Sequence, residues 1–313
     1  MNLSIIISTY NNAESLIRTL ESVVAQDADK SLWECVVVNN ASTDNTAERF
    51  SAFAQSHSDV NMRMVDEPKQ GLSYGRNRGI AEAKGDYIAL LDADDEWLTG
   101  YIAEVCRLME YYPEADAYST AFDIVNGTQR VAAPVPTTEG FINIAEEALL
   151  RRYPIIPSTA TLRRDAVLRA GCFPEGMRIG EDQWLWVKMM QKGAKFCFSP
   201  MSLVRYSRTA SNRSASIYRR EQSAHSIEEL YNPEGDTTLN EYIARIAIGK
   251  AITQSVRGGT EDARRAAEHF SYTTRSRRQL RRLRLLNALP TWLRGIVDGA
   301  YGALAWILSR RGM

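Results

Sequence analysis

The sequence predicts an α/β protein built on a mostly parallel central sheet flanked by helices, with a helical C-terminal extension. Three observations carry this expectation. Strand and helix patterns alternate over the first hundred residues, the strands are short Ile- and Val-rich runs bounded by turn residues, and from about residue 212 onward helix patterns dominate. Alternation of this kind implies right-handed crossovers and helices on both faces of a parallel sheet.

The chain opens on a strand over 3–8, Leu3-Ser4-Ile5-Ile6-Ile7-Ser8, and a helix over 12–26 carries Leu16, Leu20, Val23 and Val24 on one face. Strands at 33–39, 60–65 and 86–91 follow, separated by helices at 44–56 and 72–83. After residue 113 the pattern loosens. A strand near 115–124, a Pro-punctuated loop at 132–138, a helix over 139–151, a strand over 155–163, a helix over 181–192 and short strands at 195–199 and 202–207 are expected. The domain organisation read from this order is a catalytic unit over 1–210 and a helical region over 211–313.

At 313 residues, 44% hydrophobic and 24% charged, the chain has room for one large domain and an appendage. No basic n-region and no apolar stretch of secretory length open the chain, so no signal peptide is expected. Cys35, Cys106, Cys172 and Cys197 form no CxxC pair and read as buried thiols of a reducing compartment. His57, His225 and His269 are scattered, which argues against a His-based metal site or triad. The zero net charge conceals an asymmetry. Residues 271–313 hold nine Arg, no Lys and the single acid Asp298, a charge of +8 balanced by −8 elsewhere. A tail of this kind suits an anionic partner. Pro290 to Leu308 is interrupted by Arg294 and Asp298, so a helix lying in a membrane interface fits better than a spanning one. The alternatives are an amphipathic helix packed on the protein's own core and a basic arm for nucleic acid. The second lacks any accompanying nucleic-acid motif.

The stretch Gly85-Asp86-Tyr87-Ile88-Ala89-Leu90-Leu91-Asp92-Ala93-Asp94-Asp95 carries the most chemistry. A buried strand ends in three carboxylates within four positions, at the carboxyl edge where ligands of such sheets gather. Hard oxygens crowded on a turn suit Mg²⁺ or Mn²⁺ bridging a carboxylate to substrate phosphates. A helix start at Asp95 or Thr99 is the competing reading. Other strand ends carry Ser8-Thr9-Tyr10-Asn11-Asn12 and Asn39-Asn40-Ala41-Ser42-Thr43-Asp44. Gly71-Leu72-Ser73-Tyr74-Gly75-Arg76-Asn77-Arg78-Gly79 opens the helix before the acidic strand, and Gly180-Glu181-Asp182-Gln183-Trp184-Leu185-Trp186 lies downstream.

Together, over roughly residues 1–210, this order and spacing resembles the family-2 nucleotide-sugar glycosyltransferases of the GT-A fold. The resemblance implies an inverting, metal-dependent transfer of a sugar from a nucleoside-diphosphate donor to a hydroxyl of a glycan or lipid-linked acceptor. Thr9 and Tyr10 would meet the nucleobase, the latter by stacking. Asn40 stands where relatives carry an Asp that accepts the uracil N–H, so UDP is favoured. Asp92 would lie near the ribose, Asp94 would hold Mn²⁺ or Mg²⁺, and Asp95 is open between supporting the metal site and starting a helix. Arg76 would reach the acidic turn or the nucleotide, while Arg78 reads as a surface residue and Asp44 as a helix N-cap. Asp182 matches the family's general base. Helix-start placement would lower its pKa and burial would raise it. Trp184 and Trp186 read as packing residues. Thr209 occupies the position of a His found in many relatives, with Arg208 or Arg213 as alternative phosphate contacts. The loop 153–161 resembles an acceptor-side wall. A cytoplasmic enzyme of cell-surface polysaccharide synthesis, peripheral on the inner membrane face, is the expected setting. A polyprenyl-phosphate sugar synthase and a non-catalytic nucleotide-sugar-binding subunit are the competing functions.

Overall fold

A computed structural model describes residues 2–208 and 223–310. The chain divides into two compact units, residues 1–226 and 227–313. In the first unit, β1 (Leu3–Thr9), β2 (Trp33–Asn39), β3 (Met62–Asp66) and β4 (Tyr87–Leu90) alternate with α1 (Ala13–Val24), α2 (Thr46–Ser56) and α3 (Leu72–Glu82). Then come β5 (Glu96–Trp97), α4 (Tyr101–Tyr111), β6 (Ala117–Asn126), β7 (Gln129–Ala132), β8 (Gly140–Ile142), α5 (Ile144–Leu149), β9 (Ala160–Arg163), α6 (Arg164–Ala170), α7 (Glu181–Gln191) and β10 (Phe196–Ser207).

The strands form one sheet in the order β3-β2-β1-β4-β9-β6-β10-β5, with β7 on β6 and β8 on β10. The pairs β1–β2, β2–β3, β1–β4 and β6–β10 are parallel, whereas β9 runs antiparallel between β4 and β6. Because β9 opposes both neighbours, β4, β6 and β10 share one direction and one carboxyl edge. The chain passes from β1 to β2 on one side and reaches β4 on the other, so the crevice between β1 and β4 is a switch point where α/β sheets bind ligands.

Apolar residues cover both faces, as near-continuous hydrophobic strands require. Leu16, Leu20, Phe50, Val105 and Leu108 pack on one side with Ile5, Ile7 and Val37, while Ile80, Val167, Leu185 and Trp186 pack on the other with Ile6, Ile88 and Leu90. α3 approaches β1 closely. A Cβ on Gly75 would lie 2.1 Å from the Ser8 Oγ, and one on Gly79 would lie 2.3 Å from the Ile6 Cγ2.

Several expected boundaries shift. The run 155–163 divides into a 3₁₀ turn at Pro157–Thr159 and β9. The helix expected over 139–151 shortens to α5, because Asn143 caps it by accepting the Glu146 N–H at 3.1 Å and the preceding residues join β10 as β8. The two strands expected at 195–199 and 202–207 are one strand. It runs through Pro200 with register shifts between Ser199 and Val204, an irregularity that accommodates a residue without an N–H.

The second unit is helical: α8 (Thr237–Val256), α9 (Thr260–His269), α10 (Arg277–Ala288) and α11 (Thr291–Arg310). Leu280, Leu283 and Leu286 of α10 are buried. Arg294 is also internal. It donates to the Leu289 carbonyl at 2.9 Å, the Ser255 carbonyl at 3.1 Å and the Thr260 Oγ1 at 2.7 Å. Asp298 pairs with Arg282, whose guanidinium lies over the Tyr301 ring. Arg275, Arg277, Arg278, Arg281 and Arg284 remain exposed, as do Trp292 and Ile296. Among the described residues no helix is long and apolar enough to cross a membrane.

Candidate active site

The loops after β1, β2 and β4 are tied into one surface. Asn11 takes a left-handed conformation at φ 46, which Asn tolerates better than most residues. Its side-chain oxygen accepts the Thr43 N–H at 2.7 Å, and its own N–H donates to the Ser42 Oγ at 3.0 Å. Asn12 reaches across to the acidic turn by donating to the Ala93 carbonyl at 3.2 Å. Asp44 supports the start of α2 by accepting the Thr46 N–H at 3.1 Å. These asparagines hold the crevice together, a role the sequence reading leaves unassigned.

Of the residues expected at the nucleobase, Tyr10 presents its ring, whereas Thr9 is buried. The Thr9 hydroxyl has no hydrogen-bond partner among the described residues, and its carbonyl accepts the Asn40 N–H at 2.9 Å. Asn40 is buried and bonded to neighbouring backbone. Its side chain donates to the Lys69 carbonyl at 2.6 Å and the Glu67 carbonyl at 3.3 Å, and accepts the Gly71 N–H at 2.8 Å. The amide therefore clips the loop 67–71 onto the end of β2.

Arg76 is the centre of the site. The glycine-mediated approach of α3 to β1 brings it to the carboxyl edge, where it is buried. It donates to the Asp92 Oδ1 at 2.7 Å and the Glu181 Oε1 at 2.8 Å, with its guanidinium 5.1 Å from the centre of the Phe173 ring. The two ion pairs raise its pKa against the opposing effect of burial. Asn77 holds Phe173 in place by exchanging two 2.9 Å hydrogen bonds with its backbone. Arg78, as expected, pairs with Glu82 at the surface.

Glu181 and Asp182 open α7, the first buried and the second half-buried. Burial, reinforced by Asp182, pushes the Glu181 carboxyl up to about 7 against the pull of Arg76. The Asp182 pKa is also raised. Burial outweighs the Gln183 N–H and Arg76, which lower it, and Asp92 adds to the rise. Of the two opposing effects expected at Asp182, burial prevails. Trp186 is buried, and Trp184 lies tilted against His225 at 5.2 Å between ring centres.

The acidic turn divides its carboxylates by environment. Asp92 meets Arg76, Asp94 is half-buried, and Asp95 is buried. Asp95 accepts the Ser158 Oγ–H at 2.5 Å and the Ser207 N–H at 2.8 Å, bracing the turn against the end of β10. Burial, with Asp92 and Asp94 nearby, pushes its carboxyl well above the usual range. Helix α4 starts after Gly100, so neither Asp95 nor Thr99 caps it. Ser158, from the loop expected to form the acceptor wall, also accepts the Asp92 N–H at 3.1 Å, and its carbonyl accepts the Trp97 indole N–H at 2.8 Å. Arg208 is exposed at the end of β10, while Thr209 and Arg213 lie outside the described residues.

Among the described residues, Arg76 is the cation that pairs with both Asp92 and Glu181. The donor set fits a hard divalent cation, since the carboxylate oxygens of Asp92 and Asp94 lie on one turn. Among the described residues no cluster of three protein ligands forms. A cation held by Asp94 would complete its shell with substrate phosphates and water, as Mg²⁺ commonly does.

Comparison with known proteins shows the family of the chain. The family described as "Glycosyl transferase family 2" matches residues 4–169, more than half of the chain, and "Glycosyl transferase family group 2" matches residues 87–309. The amylovoran biosynthesis glycosyltransferase AmsB of Erwinia amylovora is 27% identical over 304 residues, covering 94% of this chain and 99% of AmsB. An Escherichia coli enzyme, the UDP-Glc:alpha-D-GlcNAc-diphosphoundecaprenol beta-1,3-glucosyltransferase WfaP, is 28% identical over 61% of this chain and 71% of its own. Alignments with three further glycosyltransferases span 58%, 26% and 39% of those proteins' lengths. The mannosyltransferase PcManGT of Pyrobaculum calidifontis, solved with GDP-Man and Mn²⁺, superposes with a TM-score of 0.61 at 18% identity, covering 97% of this chain and 80% of that one. The chain belongs to glycosyl transferase family 2 and carries its catalytic unit on a GT-A fold.

Proposed function

We propose that this protein is an inverting, metal-dependent glycosyltransferase of cell-surface polysaccharide synthesis, using a nucleoside-diphosphate sugar, UDP by preference, and a hydroxyl on a glycan or lipid-linked acceptor. The observation that carries the reading is the Arg76 junction. It draws the acidic turn at Asp92 and the Glu181–Asp182 pair, about ninety residues apart in the chain, to one point. A diphosphate end and a carboxylate base then face the same space.

In this reading the base stacks on Tyr10, Asp92 lies toward the ribose, and Asn40 and Thr9 shape the base pocket from beneath. A divalent ion held by Asp94, Mn²⁺ or Mg²⁺, would act as a Lewis acid on the departing diphosphate. The acceptor oxygen attacks the anomeric carbon as Asp182 takes its proton. The bond to the phosphate oxygen breaks, and the nucleotide leaves with the electron pair. The raised Asp182 pKa makes it a stronger base once ionised. AmsB, WfaP and PcManGT, by their names, support a polysaccharide pathway, a UDP donor with a lipid-diphosphate acceptor, and Mn²⁺ use.

The exposed Arg face of α10 supports a peripheral position on the cytoplasmic, anionic face of a membrane. Each Arg near such a surface contributes about 1 kcal/mol. A screen of UDP-, GDP- and dTDP-sugars, read by released nucleotide, tests the enzyme reading. Release that requires a divalent metal and is lost in Asp94→Ala is expected. Release from no donor, or release indifferent to that substitution, would overturn it.

A further inference from the structure

The acidic turn also borders a cavity of about 310 Å³ that shares only Asp94 with the residues assigned to the donor. Arg18 of α1, Glu96, Arg130 of β7, and Arg205 and Ser207 of β10 line it. It lies at the carboxyl ends of β6 and β10. This half of the sheet edge is separated by β4 from the β1–β2 half given to the nucleotide.

Its three guanidinium groups are held in different ways. Arg130 stands opposite Val125 in the β6–β7 hairpin and reaches diagonally to Asp123 on the same face. Its Nε donates to the Asp123 Oδ2 at 2.6 Å, its Nη2 contacts the same oxygen, and Asp123 is buried. The fork is thereby fixed in direction while the side chain stays 52% exposed. Arg205 keeps a 3.3 Å contact with Glu96, both side chains being partly exposed. Arg18 donates to the Ser15 hydroxyl at 3.0 Å, and among the described residues no carboxylate pairs with it.

Against these stand Asp94 and Glu96 in the lining and Asp123 behind Arg130, of which Asp94 is the residue assigned to the metal. With the Asp94 charge offset by a divalent ion, three guanidinium groups face the two carboxylates of Glu96 and Asp123, and the balance is positive. Hydroxyls of a neutral sugar require no such charge, whereas a guanidinium fork matches the paired oxygens of a phosphate or carboxylate. We propose that this cavity binds an anionic group of the acceptor, either the phosphate that joins a glycan to its lipid carrier or the carboxylate of a uronic acid. The proposal rests on the glycosyltransferase reading above and names the acceptor class for it.

The test is calorimetric titration of the full chain, saturated with UDP and Mn²⁺, with N-acetylglucosamine 1-phosphate, methyl glucuronide and neutral methyl N-acetylglucosaminide. One of the two anionic sugars is expected to bind and the neutral one not. Which one binds distinguishes phosphate from carboxylate. The double substitution Arg18→Met/Arg130→Met should weaken binding at least tenfold and leave UDP affinity within twofold, which also reports that the variant is folded. Arg130→Lys, which keeps the charge and loses the fork, should fall between. Binding of neither anion, equal binding of the neutral sugar, an unchanged affinity in the double variant, or displacement of the sugar by UDP would overturn the proposal. If UDP itself does not bind, the preference for a UDP donor fails. The same titrations without UDP then still report on the arginine cavity.

Discussion

Replacing Arg76 with Met removes the cation that, among the described residues, pairs with both Asp92 and Glu181, while preserving most of the stem. The side chain is buried and makes two short ion pairs, so the loss leaves carboxylates inside the protein without a counter-charge. Breaking a buried pair in this way costs about 3–5 kcal/mol. For a unit of this size that corresponds to a drop in Tm of about 6–20 °C. The sign of the pH dependence follows from Glu181, whose carboxyl lies up to about 7 in the fold against about 4.3 in an unfolded chain. A raised carboxyl favours the protonated fold, so its cost grows as pH rises through that window. With Arg76 gone the window moves higher. The deficit of the variant should therefore be larger at pH 8 than at pH 5.5, and Arg76→Met/Glu181→Gln should recover part of it at pH 8. Urea denaturation at both pH values reads this directly. A loss below about 1 kcal/mol at both, or no recovery in the double variant, would refute the description of Arg76 as the electrostatic centre.

Other expectations follow from single contacts. Gly79→Ala places a Cβ 2.3 Å from the Ile6 Cγ2 and should cost about 1–3 kcal/mol in thermal denaturation. Asp95→Asn removes a carboxyl that is raised by burial. Wild-type stability declines as pH rises above about 3.9 toward that raised value, so the variant should gain on wild type between pH 5 and pH 8. Denaturation midpoints that keep a constant difference across that range would contradict it. Arg294→Met strips a buried guanidinium from the carbonyls of Ser255 and Leu289 and should destabilise the helical unit by on the order of 3 kcal/mol. Arg281→Ala, on the exposed face, should leave the melting curve unchanged and reduce sedimentation with anionic vesicles.

What the sequence discloses follows from how local each signal is. β1, β2, β4 and α3 announce themselves because hydrophobic runs and turn residues are neighbours in the chain, and the loops that follow them carry the polar residues of the site. The segment now seen as α4 has the same legibility, with Tyr101, Ile102, Val105, Leu108 and Met109 at helical spacing after Gly100, yet the acidic turn before it competes as a helix start. Pro200 reads as a break although β10 runs through it, since an irregular register absorbs the missing donor. Asn40 shows the opposite limit. Its place in the motif suggests a ligand contact, but its hydrogen bonds go to the backbone of residues 67–71, which no local pattern reveals. The Arg76–Glu181 pair joins residues 105 apart and emerges only when the fold brings Arg76 to the start of α7. Arg294 likewise looks like a surface charge until the partners that bury it are seen.

The central claim is that Asp182 acts as the base of a single displacement at a metal-bound donor. Its most direct test is the rate of nucleotide release by Asp182→Asn, with the donor identified by the screen, beside the affinity of the same variant for UDP and Mn²⁺. General-base catalysis contributes about 10²–10⁴-fold, so the rate should fall by that factor while UDP affinity stays within a few-fold. A rate within about threefold of wild type would contradict the claim and favour transfer to an acceptor that is already anionic, such as a polyprenyl phosphate, which needs no base.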